Sequence, residues 1–408
     1  MIYLDHAAAT PVSKKVFEAM EPYFLDDFFN PSAAYLPAKK ISADYETAKG
    51  TIAHAIGAKA SDIIITAGAT EANNLAFTSL SFVAGVLSEY PFLGPLRGAR
   101  PSLRPFEKDI STTPATILYL ITEHDSVRRV AEAYGGIAIN VLPSGIIDLN
   151  DLRAKITDET ELISVSLANN EIGVIQPLAE IAGIIREVKF DRLKRGIKRQ
   201  LLLHSDASQA LNLLDINVAR LGVDLLTLNA AKVYGPKGVG ALYVAHGVKL
   251  HPLTLGGGQE NGLRSGTENV PGVIGFARAV ELAKEHLNGN RKKYASWRKV
   301  LLGELRDYEL INKKHSLDNF IVLCFDGLDA ERLIFLLEER GVYVSTGAAC
   351  AASKGVRSHV LKAIGLSDSQ IAGSLRLTMG ETNTEEQIHE VAKIINDVVA
   401  KERERIKR

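Results

Sequence analysis

Short apolar runs and longer segments of helical periodicity alternate along most of the chain. The runs are rich in Ile, Leu and Val, which is typical of strands buried on both faces of a parallel sheet. Strands are predicted at 63–66, 116–120, 162–166, 201–204, 225–228 and 240–244. Between them, the segment 39–56 repeats apolar side chains at steps of three and four, from Ile41 to Ile56, and predicts an amphipathic helix. The alternation predicts an α/β fold with a largely parallel sheet.

Some segments depart from this rhythm. The stretch 84–115 contains five prolines and three glycines, so no regular structure is predicted there. A solvated loop or insertion is the favoured interpretation, and a contact of its arginines with a partner is the alternative. The basic segment 189–199 predicts an exposed loop or helix end. A glycine-rich segment beyond Gly256 precedes a helix predicted over about 271–287, where we place a domain boundary, and a charged helix ends the chain.

Composition narrows the class of protein. The chain has 408 residues, of which 46% are hydrophobic, enough for a large buried core in two or three domains at roughly 150 residues each. The 48 basic and 48 acidic residues cancel, so a small-molecule ligand is favoured, with no direct nucleic-acid or membrane partner. Two cysteines are too few for a disulfide framework or a zinc site. With no secretion-signal pattern, we expect a cytoplasmic protein.

Two charged residues stand directly after predicted strands. Lys232 follows the strand at 225–228 and precedes a Gly-Pro turn, and a desolvated lysine there reacts with carbonyls as a Schiff-base lysine must. Asp206 follows another strand, with Gln209 shortly after. A buried carboxylate keeps a pyridine nitrogen protonated, as pyridoxal phosphate requires. The alternatives are that Lys232 is a solvated end of structure and that Asp206 caps a helix.

Three further strand ends carry groups that suit the same cofactor. The turn 67–71 is built of small residues and opens a helix whose backbone N–H groups suit a phosphate. His124 and Asn170 follow the strands at 116–120 and 162–166, and an imidazole there can stack on a ring or shuttle protons. A purely structural histidine is the alternative. Ligands bind at the carboxyl ends of such strands, so the five ends together favour one pyridoxal-phosphate site.

The two cysteines have different surroundings. Cys350 lies among Gly, Ala and Ser, as a reachable and mobile nucleophile would, whereas Cys324 lies in an apolar run typical of a core. Farther along, Arg376 stands in a strand-like alternation. Its planar fork suits a substrate carboxylate. An exposed strand arginine is the alternative interpretation.

Taken in order, these segments resemble the cysteine desulfurases of the NifS/IscS group, which are class V aminotransferases among the fold-type I pyridoxal-phosphate enzymes. The similarity spans nearly the whole chain, through the motifs at 3–11, 30–32, 67–71, 122–124, 169–173, 256–260 and 264–269, the cysteine segment and Arg376. It implies a homodimer with a mostly parallel seven-stranded sheet in a large domain over 16–262. A smaller α+β domain, from 1–15 and 263–408, would carry the catalytic cysteine loop.

The resemblance also implies a set of cofactor contacts. Lys232 would hold pyridoxal 5'-phosphate covalently, Asp206 would pair with its ring nitrogen, and His124 would stack on its ring. The full implied set is Ala69, Thr70, His124, Asn170, Asp206, Gln209, Asn229, Lys232 and Thr267 of the partner subunit. No metal is implied.

The implied reaction takes sulfur from L-cysteine and leaves L-alanine. Asn170 and Arg376 would hold the substrate carboxylate, while Lys232, Cys350 and His124 would be catalytic. Cys350 would carry the sulfur as a persulfide to an acceptor protein of iron–sulfur cluster assembly or tRNA thiolation. The alternatives are another class V enzyme, such as a selenocysteine lyase or an aminotransferase, and a cofactor-poor scaffold paralogue.

The chain departs from the family pattern beside the lysine. Family members commonly have Ser or Thr where Asn229 stands and His where Ala231 stands, and both side chains reach the cofactor phosphate. Alanine has no side-chain donor, so weaker retention of the cofactor is predicted. The insertion before Thr116 and Asn261, where Arg is frequent, are two further departures.

Overall fold

The computed structural model describes residues 1–80, 115–346 and 357–407. Most of the insertion at 84–115, and Cys350 with its neighbours, lie outside the described residues. The strands are β1 (Ile2–Tyr3), β2 (Ile63–Thr66), β3 (Thr116–Leu120), β4 (Ile137–Ile139), β5 (Thr160–Ser164), β6 (Leu202–Asp206), β7 (Leu225–Asn229), β8 (Gly240–Val244), β9 (Glu309–Leu310), β10 (Phe320–Cys324), β11 (Val342–Tyr343) and β12 (Ser374–Thr378).

Helices cover the sheet and connect its strands. They are α1 (Lys14–Met20), α2 (Pro22–Leu25), α3 (Leu36–Ala55), α4 (Ala69–Phe77), α5 (Asp125–Ala133), α6 (Leu149–Lys155), α7 (Leu178–Lys194), α8 (Val218–Leu221), α9 (Val270–Glu304), α10 (Ala330–Glu338), α11 (His359–Ala363), α12 (Asp368–Ala372) and α13 (Glu385–Lys407). None of the helices in the described ranges is both long enough and apolar enough to cross a membrane.

A seven-stranded sheet in the order β2-β8-β7-β6-β5-β3-β4 forms the centre of the protein. Every pair is parallel except the two that involve β8, which runs antiparallel to both β2 and β7. All residues of β2, β5 and β6 are buried, as expected for strands covered on both faces. The predicted fold is confirmed. Because β2 runs parallel to β7, the carboxyl ends of β2, β3, β5, β6 and β7 lie at one edge.

One predicted helix boundary was wrong. The helix predicted over about 271–287 continues as α9 to Glu304. A glycine inside a helix, such as Gly289, destabilises the helix by about 1 kcal/mol relative to alanine and favours a helix end. Beyond it, however, Tyr294, Trp297 and Leu301 extend the apolar face of α9 and are buried. Burial therefore outweighs local propensity. The basic segment 189–199 contains the end of α7 and the turn after it, as predicted, although Arg192 within it is buried.

The ends of the chain meet in a smaller group of strands. Strand β1 pairs in parallel with β11, joining Ile2 to Val342, and β12, β10 and β9 form an antiparallel sheet. A bridge joins Asp5 to Thr378 at the end of β12. The pairing places the N-terminal segment beside the C-terminal part of the chain. The division into domains at 16 and 262 stays a prediction.

Candidate active site

A cavity of about 340 Å³ lies at the carboxyl edge of the central sheet. Segments that follow β2, β3, β5, β6 and β7 line it, together with the N-terminal segment, the start of α11 and β12. The predicted site residues that it gathers are Ala69, Thr70, His124, Asn170, Asp206, Gln209, Asn229, Lys232 and Arg376. Thr267 is exposed and lies outside this cavity, and Cys350 is outside the described residues.

The Asp206 carboxylate is held by two donors at the end of β6. Asn73 on α4 donates from Nδ2 to its Oδ2 at 2.8 Å, and the backbone N–H of Ser208 donates to Oδ1 at 2.9 Å. The segment after Asp206 is a series of turns and contains no helix for the carboxylate to cap. Asp206 is 8% exposed, so its charge lies against the cavity with little competing water.

A second carboxyl group, Glu123, lies close to Asp206. Burial, and then the charge of Asp206, raise the pKa of Glu123 to about 8, because two negative charges in one desolvated region repel each other. Ser164 donates its hydroxyl to Oε1 of Glu123 at 3.3 Å. Behind them, burial lowers the pKa of His204 to about 4. Glu123 and His204 are therefore neutral near pH 7, and neither competes with the charge of Asp206.

Lys232 does not end in solvent, contrary to the alternative drawn from sequence. Its Nζ donates to the backbone carbonyls of Ala7, at 2.8 Å, and Ala8, at 2.5 Å. The lysine ends the 3₁₀ turn Ala230–Lys232, which Asn229 caps through an Oδ1 that accepts from the Ala231 N–H at 3.2 Å. Strand β7 and the N-terminal segment thus fix the amine beside the cavity.

The start of α4 forms another wall. Its first residues, Ala69 and Thr70, line the cavity, and its N-cap residue is Gly68, whose φ of 142° favours glycine. No side chain caps this helix start, so the first N–H groups, which a cap would occupy, suit an anion. The Glu71 carboxylate forms an ion pair with Arg264, whose Nε lies 3.0 Å from Glu71 Oε1.

These groups fit pyridoxal 5'-phosphate. The buried hydroxyl oxygens of Ser166 and Ser208 line the cavity and have no hydrogen-bond partner within the described residues. Buried polar groups without partners are uncommon and indicate a missing ligand or water. An amine, a buried carboxylate, an uncapped helix start and these hydroxyls suit the aldehyde, the ring nitrogen and the phosphate of that cofactor.

Arg376 is 3% exposed and is not an exposed strand arginine. Its Nη1 donates to the backbone carbonyl of Asn170 at 2.9 Å, and its Nη2 pairs with the Asp5 carboxylate. Arg376 lies on β12 opposite Val322. The antiparallel sheet therefore fixes the position of its Cα atom, from which the side chain extends to the cavity wall. A buried arginine beside Asn170 at the cavity wall suits a carboxylate ligand.

A hydrogen-bond chain joins His124 to Asp206. The Nδ1 of His124 lies 2.9 Å from Ser126 Oγ and accepts from the Ser126 N–H at 3.1 Å, which makes His124 the N-cap of α5. Asn73 donates to Ser126 Oγ at 2.8 Å as well as to Asp206. His124 therefore has the structural role of a helix cap, and the same side chain also lines the cavity.

Several residues of the site had no role assigned from sequence. Asn73 lies one turn beyond Thr70 on α4, and that helical spacing was a usable signal. Glu123 belongs to the motif at 122–124 but carried no assignment. His359 lies at the start of α11 and enters the cavity wall from a distant part of the chain, so only the tertiary structure identifies it.

Comparison with known proteins agrees with this geometry. The family model described as Aminotransferase class-V matches residues 2–85 and 107–391. The chain belongs to this family. Class V aminotransferases depend on pyridoxal phosphate, and the resemblance drawn from sequence is confirmed.

Similar class V proteins carry desulfurase names. The chain is 36% identical over 418 residues to a cysteine desulfurase IscS of Dictyoglomus turgidum, covering 98% of this chain and 95% of that protein. A solved NifS-like protein matches with a TM-score of 0.83 at 29% identity, over 98% of this chain and 99% of that one. The structure titled SspA in complex with cysteine matches with a TM-score of 0.75 at 31% identity, over 93% and 99%.

Proposed function

We propose that this class V aminotransferase is a pyridoxal-phosphate-dependent cysteine desulfurase, which converts L-cysteine to L-alanine and leaves a persulfide on Cys350. The observation that carries the proposal is that Lys232, Asp206 and Arg376 meet in one cavity. An amine, a carboxylate for a ring nitrogen and a clamp for an amino-acid carboxylate are what the cofactor and its substrate require. The near full-length similarity to proteins named cysteine desulfurase supports the choice of substrate.

Each wall of the cavity would contact one part of the cofactor. Lys232 would bond its aldehyde carbon, Asp206 would pair with the ring nitrogen, and Gln209 would reach the ring hydroxyl. The start of α4 at Ala69 and Thr70 would hold the phosphate, with Asn229 beside Lys232. Pyridoxal phosphate, when bound, withdraws electrons from the Cα of the amino acid.

The chain itself would position the substrate and move its protons. Arg376 and Asn170 bind the carboxylate of L-cysteine, which places the Cα–H bond near the amine of Lys232. That amine takes the Cα proton and returns a proton later in the cycle. The Cys350 thiolate would then attack the substrate sulfur, so that a sulfur–sulfur bond forms as the carbon–sulfur bond breaks. The electron pair of the broken bond leaves with the carbon, which takes a proton and becomes the methyl group of L-alanine.

The persulfide requires an acceptor, and the site requires a second subunit. An acceptor protein of iron–sulfur cluster assembly or tRNA thiolation would take the sulfur in the cytoplasm.

In a homodimer, the exposed Thr267 would complete the phosphate site of the neighbouring subunit. Equilibrium sedimentation of the purified protein tests the dimer, and a monomer that is fully active would contradict it.

The defining experiment is L-cysteine-dependent formation of alanine by the purified protein with added pyridoxal phosphate. We expect one alanine for each sulfide released in the presence of a thiol reductant, which regenerates Cys350. L-Selenocysteine, assayed in parallel, separates a desulfurase from a selenocysteine lyase. Absence of alanine from a protein that has bound the cofactor would overturn the proposal, and failure to bind the cofactor would favour a scaffold role.

Restoring the missing phosphate donor should tighten cofactor binding. In Ala231→His, an imidazole replaces a methyl group beside Lys232, and a charge-assisted hydrogen bond of about 1.5–3 kcal/mol corresponds to roughly a ten- to hundredfold gain in affinity. Titration of the apoprotein with pyridoxal phosphate measures it. Nanomolar affinity of the unaltered chain, or no gain in the variant, would contradict the prediction.

Arg376→Lys should weaken substrate binding and leave the fold intact. Lysine keeps the positive charge beside Asp5 but cannot form the planar two-point contact with a carboxylate, so the KM for L-cysteine should rise about ten- to hundredfold. Steady-state alanine formation measures KM and kcat separately. Arg306→Lys, at an exposed position, is the control, and an unchanged KM at position 376 would remove the substrate role.

A further inference from the structure

A second imidazole, that of His359, belongs to the cavity wall. His359 opens α11, and the preceding Ser358 caps this helix by accepting from the Leu361 N–H at 3.0 Å. The Ser358 hydroxyl in turn donates to the Glu171 carboxylate. Since Glu171 directly follows Asn170, this bond fixes His359 against the segment that lines the substrate end of the cavity.

A hydrogen bond to a backbone carbonyl indicates the tautomer of His359. Its Nε2 lies 3.0 Å from the backbone carbonyl oxygen of Glu123, and a carbonyl only accepts, so Nε2 carries the proton. The Nδ1 of the neutral ring then has a lone pair. No hydrogen-bond partner of this nitrogen occurs in the described ranges of the chain. An N–H bond to a backbone carbonyl is a common way to orient a basic histidine.

His124 has a different hydrogen-bonding arrangement from His359. Its Nδ1 accepts from the Ser126 N–H as the N-cap of α5, so a proton added there would break the cap, and Nε2 already carries the proton of the neutral ring. His124 is therefore suited to stack on the cofactor and to donate a hydrogen bond. It is poorly suited to accept a proton.

A negative group, the Asp125 carboxylate, lies near His359. Burial disfavours the charge of Asp125, but its hydrogen bond with Arg128 and the charges of Arg128, Arg129 and His359 lower its pKa overall. Asp125 also lines the cavity. The Asp125 carboxylate therefore faces the side of the cavity wall that holds His359, where a negative charge suits a base that gains a positive charge during the reaction.

We propose that His359 is a further catalytic residue, the general base for the thiol of bound L-cysteine. The S–H bond of the substrate breaks, its proton forms a bond with Nδ1 of His359, and the electron pair stays on sulfur. No electrons are exchanged, and the proton later returns to solvent. The proposal rests on the desulfurase function. It assigns the two proton transfers to different residues, with the Cα proton moved by Lys232 and the thiol proton by His359.

His359→Gln tests this division. The glutamine amide still donates to the Glu123 carbonyl but has no basic nitrogen, so alanine formation near pH 7 should fall on the order of a hundredfold. Exchange of the Cα proton of L-alanine with solvent deuterium, followed by NMR, should change less than threefold. L-Alanine has no thiol, and its exchange depends on Lys232 alone. A merely structural role of His359 would lower both rates together.

Raising the pH supplies a second readout. Free cysteine ionises with a pKa of about 8.5, so a larger share of the substrate arrives as thiolate and the deficit of His359→Gln should shrink towards that pH. His54→Gln, on the exposed face of α3, is the matched control and should behave as the unaltered protein. Wild-type alanine formation that persists within threefold in His359→Gln, or equal loss of both rates, would overturn the inference. An inactive wild type would instead contradict the proposed function.

Discussion

Lys232→Ala should abolish both alanine formation from L-cysteine and Cα proton exchange of L-alanine. The amine would hold the cofactor and move the Cα proton, and no other lysine lines the cavity among the described residues. We expect a fall of roughly a thousandfold or more in each rate. The visible absorbance that the bound cofactor owes to its bond with lysine should also disappear, as recorded in the spectrum of the purified variant.

A nearby lysine provides the control. Lys237 is exposed and lies five residues beyond Lys232, past the Gly-Pro turn, and Lys237→Ala should retain the absorbance and both rates. The amine of Lys232 donates to the backbone carbonyls of Ala7 and Ala8 at the edge of the cavity, and we expect Lys232→Ala to leave the thermal unfolding temperature within a few degrees. A Lys232→Ala protein with rates within tenfold of wild type would remove the assigned role.

Cys350→Ala should stop alanine formation while preserving Cα proton exchange. Without the thiolate the carbon–sulfur bond has no attacking group, and we expect roughly a thousandfold loss or more. The exchange reaction precedes sulfur attack and uses Lys232, so it should stay within threefold of wild type. Mass spectrometry after exposure to L-cysteine should detect an added sulfur on the unaltered protein and none on the variant.

Cys324 provides the matched comparison. It is 1% exposed on β10, its Sγ donates to the Gln370 carbonyl at 3.4 Å, and burial raises the pKa of its thiol. Cys324→Ala should therefore keep full activity and reduce the free energy of unfolding by about 1 kcal/mol. Persulfide on Cys324, or loss of activity in its variant, would contradict the assignment of the nucleophile.

The charge of Glu123, the second buried acid of the site, depends on pH. Glu123 would be about half ionised near pH 8, and its ionisation adds a second negative charge close to Asp206. Below about pH 7 Glu123 is mostly neutral, so it adds little negative charge beside the carboxylate that would face the ring nitrogen. The neutral His204 behind them adds no charge of its own.

The sequence by itself determined the fold class and most of the candidate site. The apolar runs predicted the central strands because strands buried on both faces have little polar content. The residues that follow the runs were candidates because parallel strands end at one edge, and eight of them line the cavity together with Arg376 from β12. The family resemblance supplied roles for these residues, and the comparisons confirm the family.

Only the tertiary structure decided which atoms meet across long separations in the chain. Arg376 and Asp5 pair because β12 lies beside the N-terminal segment, and no local pattern encodes that distance. His359 reaches Glu123 across 236 positions. The proton states of Glu123 and His204 likewise depend on burial and on neighbouring charge. Local sequence sets the types of group and their order, whereas desolvation and hydrogen-bond direction arise only from packing.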